Sequence, residues 1–256
     1  MRKVSAYIIT KNAERHIKEC VESIKWADEI IVVDAFSSDS TAEIAQELGC
    51  KVFKNKFEGF GAQRNFALER CSYEWILCVD ADERISPQLR AEIEKELSSS
   101  PRGSVFLAPR KSKFINKWIM HSGWYPDYRH PVFFNKNAAR YKNLLVHEDI
   151  DYKGKKKYFK GDILHYTYGS FKQFMEKSAY YADLSAEEMH KKGKKFRVSR
   201  LFLNPLAMFM KMYVFKRGFL DGLTGLILAL SYSCFYTLMK YIKLWELELR
   251  DRKSVV

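Results

Sequence analysis

The chain has 256 residues, of which 47% are hydrophobic and 15% aromatic, and its formal net charge is +13. The length and the hydrophobic content are enough for one large domain, or for a domain with an extension. The aromatic content is too high for a disordered chain. The five cysteines lack CxxC spacing, so we interpret them as reduced residues of an intracellular protein rather than a disulfide framework.

Strand-like and helix-like segments alternate along the first hundred residues. Short apolar runs at VSAYIIT, EIIVVDA, KVFKNK and EWILCVDAD predict four strands, and segments of helical periodicity lie between them. This alternation, with short connections, predicts an α/β fold with a mostly parallel central sheet and helices on both faces. From Phe171 onward the pattern changes to aromatic-rich helices. We therefore predict two domains, residues 1–169 and 170–256.

Acidic residues follow two of these predicted strands. Asp34 ends the second strand, and Asp80, Asp82 and Glu83 end the fourth. Ligands of parallel sheets bind at the carboxyl ends of the strands, where loops converge. Neighbouring carboxylates repel each other unless hydrogen bonds, a cation or a raised pKa compensates. The Asp-x-Asp pattern fits a Mg²⁺ or Mn²⁺ site that bridges to a diphosphate, but a capped turn with a solvated strand end fits it too.

Several short motifs together carry a resemblance. VSAYIITKNAERHIKECVESI, ADEIIVVDAFSSDST, GFGAQRNFALE and WILCVDADERIS stand in the order and at the intervals of family 2 glycosyltransferases. GWYPDYRHPVFF, LLVHEDI, GDILHYTYGS and RGFLDGLTGL extend the likeness over nearly the whole chain. The chain therefore resembles that family, and in its longer form the branch with lipopolysaccharide inner-core β-1,4-glucosyltransferases. The resemblance implies a GT-A fold, which is Rossmann-like.

The resemblance also implies a donor site and a divalent metal, Mg²⁺ or Mn²⁺. Asp82 would be the direct metal ligand, Asp80 would face the ribose or the metal, and His165 would complete the metal shell. A histidine among aromatic residues is also compatible with a structural role. Arg64 would bind phosphate, although an ion pair with Glu69 or a neighbour is an equal alternative. The implied donor-binding residues are Thr10, Asn12, Glu14, Asp34, Gln63, Arg64, Asn65 and Asp80.

One departure from the family pattern leaves the nucleotide open. The family often reads VDDGS or VDSGS where this chain reads VDAFS, so Ala35 replaces a position that recognises the base in some members. A UDP-sugar is the donor that we expect.

The base and the acceptor site are expected after the sheet. Inverting transfer needs a carboxylate that takes the proton of the acceptor hydroxyl. LLVHEDI offers Glu148 and Asp149, and we favour Glu148 while keeping Asp149 as the rival; a simple polar turn is the alternative. Aromatic faces pack on sugars and arginine binds phosphate, so the loop GWYPDYRHP predicts an acceptor platform, with a packed loop as the alternative. Its residues are Trp124, Tyr125, Tyr128 and Arg129.

The positive charge is concentrated in the C-terminal part. Residues 1–150 hold 23 Lys/Arg and 21 Asp/Glu, whereas residues 151–256 hold 21 and 10. The run from Gly222 to Met239 has no charge and is flanked by basic residues. We predict a helical extension that associates with an anionic membrane surface. A packed helical cap, a homo-oligomer through these helices and a membrane-spanning helix are the alternatives.

These features combine into one functional prediction. We expect an inverting glycosyltransferase that moves a hexose from a nucleotide-diphosphate sugar to a saccharide or lipid-linked acceptor in bacterial envelope synthesis, as in lipopolysaccharide core. We expect the protein to be cytoplasmic and peripherally bound to the inner face of the cytoplasmic membrane. A nucleotidyltransferase and a non-catalytic nucleotide-sugar-binding module are the alternatives. Nucleic acid is not an expected partner, because the basic residues lie in an apolar tail rather than on a recognition motif.

Overall fold

The computed structural model describes residues 2–99, 105–128, 131–142 and 150–254, with side chains described as far as Asp251. The chain divides into two compact units. The first comprises Met1–Lys111 and Asp127–Tyr166, and the second comprises Ser112–Pro126 and Thr167–Val256. The segment Ser112–Pro126 thus packs with the C-terminal helices. The predicted division into domains at residues 169 and 170 stays a prediction.

Thirteen strands occur in the described part of the chain. The first four coincide with the apolar runs that predicted them. They are, in chain order, β1 (Val4–Thr10), β2 (Glu29–Asp34), β3 (Lys51–Lys54), β4 (Trp75–Asp80), β5 (Glu83–Ile85), β6 (Val105–Leu107), β7 (Arg110–Phe114), β8 (Lys117–Trp118), β9 (Pro131–Asn135), β10 (Ala139–Tyr141), β11 (Ile150–Tyr152), β12 (Lys156–Tyr158) and β13 (Ile163–Tyr168).

A seven-stranded sheet of order β12-β6-β9-β4-β1-β2-β3 forms the centre of the first unit. The pairs β1–β2, β1–β4, β2–β3 and β6–β12 are parallel, whereas β9 is antiparallel to both β4 and β6. The predicted mostly parallel α/β sheet is therefore confirmed. Its helices are α1 (Glu14–Ile24), α2 (Thr41–Glu47), α3 (Phe60–Arg70) and α4 (Pro87–Ser99).

Both faces of this sheet are covered, as the sequence of β1 illustrates. Ala6 and Ile8 belong to one hydrophobic cluster, and Tyr7 and Ile9 belong to another. Successive side chains of a strand point to opposite faces, so β1 contributes to two cores at once. A continuous run of apolar residues, rather than an alternating one, is typical of such a doubly covered strand.

Smaller pairings surround the carboxyl edge of the sheet. β5 pairs with β13 in antiparallel register, so that Glu83 lies opposite His165 and Ile85 opposite Ile163. β10 and β11 form a second antiparallel pair. The first pairing matters for the site, because it holds the acidic turn after β4 beside β13.

The second unit is helical and has its own aromatic core. Phe114 and Phe174 pack edge to face at 5.5 Å, with Met212 and Leu228 in the same cluster. A Cβ at Gly225 would lie 2.0 Å from the backbone oxygen of Gly218, so only glycine permits this close packing. The helical segments are α5 (Phe171–Lys191), α6 (Ser199–Phe209), the π-helix Met210–Phe215, the 3₁₀ turn Gly218–Asp221, α7 (Gly222–Ser231), the π-helix Tyr232–Leu238 and α8 (Met239–Ser254).

The last of these segments run on as one long helix. Among the described residues, Gly218–Asp251 is the one helix whose length and composition would allow it to cross a membrane. One third of its most apolar window is buried within the protein. The core helix of a folded unit passes the same test of length and composition.

Candidate active site

The carboxyl ends of β1, β2 and β4 bring the predicted donor residues to one edge of the sheet. Thr10 lies opposite Asp34 in the parallel register of β1 and β2, and Ile9 lies opposite Asp80 in that of β1 and β4. The carboxyl ends of parallel strands lie at the same edge of a sheet, and for this reason Thr10 and Asp80, far apart in sequence, come to the same edge.

The loops after β1 and β2 hold each other through side-chain hydrogen bonds. Asp34 is fully buried, and its Oδ2 accepts from the backbone N–H of Ser37 at 2.9 Å. Asn12 Oδ1 accepts from the backbone N–H of Ser38 at 2.8 Å, and Glu14 Oε2 accepts from that of Ser40 at 3.4 Å. Asp34, Asn12 and Glu14 therefore shape this edge, while their predicted contacts with a donor stay predictions.

Two residues of these loops adopt a left-handed backbone. Asn12 has φ 51° and Phe36 has φ 56°, and the Phe36 side chain is 59% exposed. Asparagine tolerates this region, whereas a bulky aromatic residue does so at a cost of order 1–3 kcal/mol. Thr10 Oγ1 is buried nearby at the end of β1 with no hydrogen-bond partner. Strain and an unsatisfied polar group at a ligand-binding edge are typical of functional loops.

Arg64 is buried and contacts Asp80 rather than the alternative partner, Glu69. Its Nη2 donates to Asp80 Oδ1 at 2.8 Å, and its guanidinium lies 5.6 Å from the centre of the Tyr141 ring. Glu69 instead pairs with Arg140 at 3.3 Å. Burial alone would raise the pKa of the Asp80 carboxyl, but the charges of Arg64 and Arg110 outweigh it and hold that pKa below its usual value.

The two neighbours of Arg64 have structural contacts. Gln63 is 1% exposed and accepts from Asn55 Nδ2 at 2.9 Å. Asn65 donates to the Tyr141 carbonyl at 2.8 Å and accepts from its backbone N–H at 3.1 Å, which joins α3 to β10. These contacts fix the start of α3, and the predicted donor contacts of Gln63 and Asn65 are not among them.

Glu83, which the sequence analysis noted without assigning it a role, and Arg110, which it did not identify, lie together beside Asp80. Glu83 is 2% exposed; its Oε2 accepts from the Asp80 backbone N–H at 3.0 Å, and its Oε1 accepts from Arg110 Nε at 2.5 Å. Burial raises the pKa of the Glu83 carboxyl, with Arg110 opposing that rise. Burial would lower the pKa of Arg110, but Glu83 and Asp80 raise it, so the guanidinium stays charged.

Asp82 and His165 are brought together, as the metal prediction requires. Asp82 Oδ2 lies 3.4 Å from His165 Nε2, and both side chains are partly exposed. The backbone N–H of Tyr166 donates to the Asp82 carbonyl at 2.8 Å, which fixes the turn against β13. No group of three or more His, Cys, Asp or Glu side chains in the described ranges is arranged to hold a metal ion.

This pair fits a divalent cation of the Mg²⁺ type. Such ions take one or two protein ligands and complete their shell with water and substrate phosphate. An oxygen and a nitrogen ligand at a half-open edge also suit Mn²⁺. Asp80 already pairs with Arg64 and Arg110, so a cation would have to compete with them for its carboxylate. The metal roles of Asp80, Asp82 and His165 remain predictions.

The predicted acceptor residues fall in different parts of the structure. Trp124 and Tyr125 belong to the second unit, where Trp124 packs against Phe114 and Tyr168 with ring centres 6.1 Å apart in each case. Tyr128 belongs to the first unit and packs edge to face on Tyr158 at 5.3 Å. Trp124 thus packs in an aromatic cluster, and the predicted acceptor contacts of Trp124, Tyr125 and Tyr128 stay predictions.

Three of the predicted residues lie outside the described part of the chain. Arg129 was predicted to bind the acceptor, and Glu148 and Asp149 were the candidates for the base. All three assignments stay predictions.

Comparison with known proteins defines the class of protein. The model of the family "Glycosyl transferase family 2" matches residues 5–178. An uncharacterized glycosyltransferase of Rickettsia typhi is 30% identical over 270 residues, covering 100% of this chain and 91% of its own. A lipopolysaccharide core biosynthesis glycosyltransferase of Rhizobium meliloti is 28% identical over 255 residues, covering 95% of this chain and 92% of its own.

A solved structure shares part of the fold. Glucosyl-3-phosphoglycerate synthase from Mycobacterium tuberculosis, in complex with Mn²⁺, UDP-glucose and phosphoglyceric acid, is 21% identical with a TM-score of 0.38. The likeness covers 43% of this chain and 44% of that chain, so it is partial. The family match over residues 5–178 includes most of the seven-stranded α/β sheet, and the fold is of the GT-A class that the resemblance to this family implied. The chain belongs to glycosyltransferase family 2, and the family prediction is confirmed.

Proposed function

We propose that this protein is an inverting, metal-dependent hexosyltransferase that uses a nucleotide-diphosphate sugar, with UDP as the nucleotide to test first. The observation that carries the proposal is the Asp82–His165 pair, 3.4 Å apart at the carboxyl edge of a family 2 domain. The adjacent Asp80 already pairs with Arg64, so a cation at Asp80 would have to compete with that arginine.

The chemistry assigns one task to each group. The acceptor hydroxyl oxygen forms a bond to the anomeric carbon, and the bond from that carbon to the diphosphate oxygen breaks. Glu148, or its rival Asp149, takes the hydroxyl proton. A bound Mg²⁺ or Mn²⁺ would neutralise charge on the leaving diphosphate. Asp82 and His165 would hold that ion, and the loops that carry Thr10, Asn12, Glu14, Asp34, Gln63, Arg64, Asn65 and Asp80 would hold the donor.

The acceptor that we propose is a saccharide or lipid-linked glycan of the bacterial envelope. A relative of nearly the same length is named for lipopolysaccharide core biosynthesis, and this supports the acceptor class. Core acceptors of this kind carry sugars and phosphates, which suit aromatic and arginine side chains. In this proposal the acceptor is contacted by the aromatic and arginine residues of the loop GWYPDYRHP, which are Trp124, Tyr125, Tyr128 and Arg129.

We also propose that the second unit lies on the inner face of the cytoplasmic membrane. Val198, Phe202, Leu206, Met210 and Val214 follow each other at intervals of four, and each is at least 37% exposed. Residues at this spacing share one side of a helix. We call this set the apolar stripe. It is long enough to bury a helix face in the headgroup region of a bilayer.

The charge around the apolar stripe favours anionic lipid over a second copy of this chain. Residues 191–245 hold eleven Lys/Arg, and their one acidic residue, Asp221, is buried. Two such surfaces would repel each other, whereas anionic headgroups would attract each of them. A homo-oligomer through these helices is therefore the competing outcome of the membrane test.

The experiment for the proposed function is a product analysis with the purified protein. UDP-sugars are incubated with Mn²⁺ and a truncated core glycolipid, and the nucleotide product is identified by ion-exchange chromatography. Nucleoside diphosphate, formed together with an extended glycolipid, supports the proposal. Pyrophosphate as product would identify a nucleotidyltransferase, and donor binding without turnover would identify a sugar-binding module.

A further inference from the structure

The acidic turn Asp80–Glu83 needs counter-charge from elsewhere in the chain. It carries three carboxylates within four residues, and Glu83 has only 2% of its surface exposed to water. A buried carboxylate is tolerated when it is paired and hydrogen-bonded. We propose that Arg110 is a positioning residue, which sets the geometry of this turn for the metal-bound donor by acting through Glu83. This inference rests on the proposed function.

Arg110 reaches two carboxylates of the turn at once. Its Nε donates to Glu83 Oε1 at 2.5 Å, and its Nη2 lies 3.9 Å from Asp80 Oδ2. The other oxygen of Glu83 accepts from the Asp80 backbone N–H at 3.0 Å. Glu83 therefore connects the guanidinium of Arg110 to the backbone of Asp80, so a shift of Arg110 reaches the backbone of the turn through the Glu83 side chain.

The backbone of Arg110 is itself anchored. Its N–H donates to the Asp127 carbonyl at 2.9 Å, and the two residues form an antiparallel bridge. Only 17% of the Arg110 side chain is exposed. Because both ends of the residue are held, its guanidinium has little freedom to follow the turn if the turn moves. A fixed partner of this kind can impose a position on the groups that it binds.

The other two arginines at the turn make different contacts. Arg64 donates to Asp80 Oδ1 at 2.8 Å and to Cys78 Sγ at 2.8 Å. Arg84 donates to the carbonyls of Ala81 and Glu83, at 3.2 and 2.8 Å. Among the contacts described for these three arginines, Arg110 alone joins the carboxylates of Asp80 and Glu83. Its role is therefore separable from that of its neighbours by mutation.

This arrangement also affects the positions of Asp82 and His165. Glu83 lies opposite His165 in the β5–β13 pairing, and the Asp82 carbonyl accepts from the next backbone N–H of β13. The turn is thus held by β13 on one side and by Arg110 through Glu83 on the other. Partners that orient metal ligands change metal affinity by about 10–100-fold when they are removed. We expect an effect of that size from Arg110.

The test measures Mn²⁺ binding by electron paramagnetic resonance with UDP present, and turnover separately. Arg110→Met should weaken Mn²⁺ binding by at least about tenfold. Arg110→Lys keeps the positive charge but loses the planar guanidinium with its several donors, so its Mn²⁺ affinity should lie between those of Arg110→Met and the wild type. Arg140→Met is the matched control, because Arg140 pairs with Glu69 on the surface with 74% of its side chain exposed. It should bind Mn²⁺ as the wild type does.

A double-mutant cycle separates positioning from general destabilisation. If Arg110 acts through Glu83, then Arg110→Met combined with Glu83→Gln should weaken Mn²⁺ binding by clearly less than the product of the two single effects. Thermal unfolding identifies any variant that fails to fold, and in that case Arg110→Lys decides. Wild-type Mn²⁺ affinity in folded Arg110→Lys and Arg110→Met, or effects that multiply, would overturn the inference. Absence of Mn²⁺–UDP binding in the wild type would count against the proposed function instead.

Discussion

Arg64 and Asp80 form an ion pair at the edge of the sheet, with Nη2 and Oδ1 2.8 Å apart and only 5% of the arginine side chain exposed. This pair divides the Asp80-Ala81-Asp82 element into two parts with different environments. Asp80 is bound by arginine, whereas Asp82 faces His165. This difference supports the proposed metal role of Asp82, because a cation at Asp80 would have to compete with the arginines that already pair with it.

Asp82→Asn should remove Mn²⁺-dependent donor binding and lower turnover by at least about a hundredfold, because the metal supplies several kcal/mol of charge stabilisation at the leaving group. His165→Gln should weaken Mn²⁺ binding less, since it removes a neutral ligand. Calorimetric titration with UDP and Mn²⁺ provides the measurement. Asp151→Asn is the control, because that carboxylate is 73% exposed and pairs with Lys142. Near wild-type turnover of Asp82→Asn with the metal chelated would contradict the assignment.

Glu148→Gln should lower kcat by about 10²–10⁴-fold while donor affinity hardly changes, because it removes the proton acceptor and keeps the shape of the side chain. Steady-state kinetics with saturating donor measure this split. Asp149→Asn is the paired variant. If Asp149→Asn abolishes turnover and Glu148→Gln is mild, the base is Asp149. If both variants stay active, neither residue is the base, and direct displacement assisted at this motif is ruled out.

Glu29 makes a pH-dependent contribution to stability. Burial would raise the pKa of its carboxyl, but hydrogen bonds from Ser5, Ser72 and Lys51 outweigh it and lower that pKa from 4.5 to about 2. A carboxyl with a lowered folded-state pKa stabilises the fold above its unfolded-state pKa. This contribution is lost as the pH falls from near 4.5 towards 2. Its size at neutral pH is on the order of 3 kcal/mol.

Glu29→Gln should therefore reduce the free energy of unfolding at pH 7, and the difference from wild type should shrink as the pH falls below 4.5. Urea unfolding at several pH values measures this. Glu94→Gln is the control, since Glu94 forms an exposed pair with Arg90 on α4 and should change stability by less than about 0.5 kcal/mol. A loss in Glu29→Gln that is constant from pH 7 to pH 3 would contradict the role of the carboxylate charge.

Replacing part of the apolar stripe tests the membrane proposal. Phe202→Ser with Leu206→Ser should reduce sedimentation with phosphatidylglycerol vesicles, because both side chains are at least 60% exposed on the stripe. Wild-type binding should weaken at high salt and with phosphatidylcholine. Phe57→Ser, at an exposed aromatic residue of the first unit, is the control. Equal vesicle binding by all variants, or a stable dimer in solution that the double change disrupts, would contradict the lipid assignment.

The sequence predicted the strands and the acidic edge well, for a physical reason. β1, β2 and β4 are continuous apolar runs that end in polar residues, and parallel pairing brings those ends together without further information. The environment of each acid was harder to predict. Arg110 reaches Glu83 from a strand 27 positions further along the chain, and no local pattern indicates that contact.

Side-chain packing was the other feature that the sequence did not predict. Arg64 was weighed as a phosphate ligand or as a surface partner of Glu69, and the structure gives it a buried contact with Asp80. Trp124 was predicted to bind the acceptor, which stays a prediction, and its ring packs in an aromatic cluster of the second unit that the sequence did not indicate. In both cases the contacts of the side chain come from residues of other structural elements, and no local sequence pattern indicates such contacts.

The most direct test of the central claim follows the anomeric carbon of the donor sugar. The purified protein is given UDP-[1-¹³C]glucose, Mn²⁺ and a truncated core glycolipid, and the product is examined by NMR. The account predicts a glycolipid extended by one hexose with a β-linkage, one nucleoside diphosphate released per transfer, and loss of both products in Asp82→Asn. An α-linked product, or transfer by Asp82→Asn at the wild-type rate without metal, would contradict it.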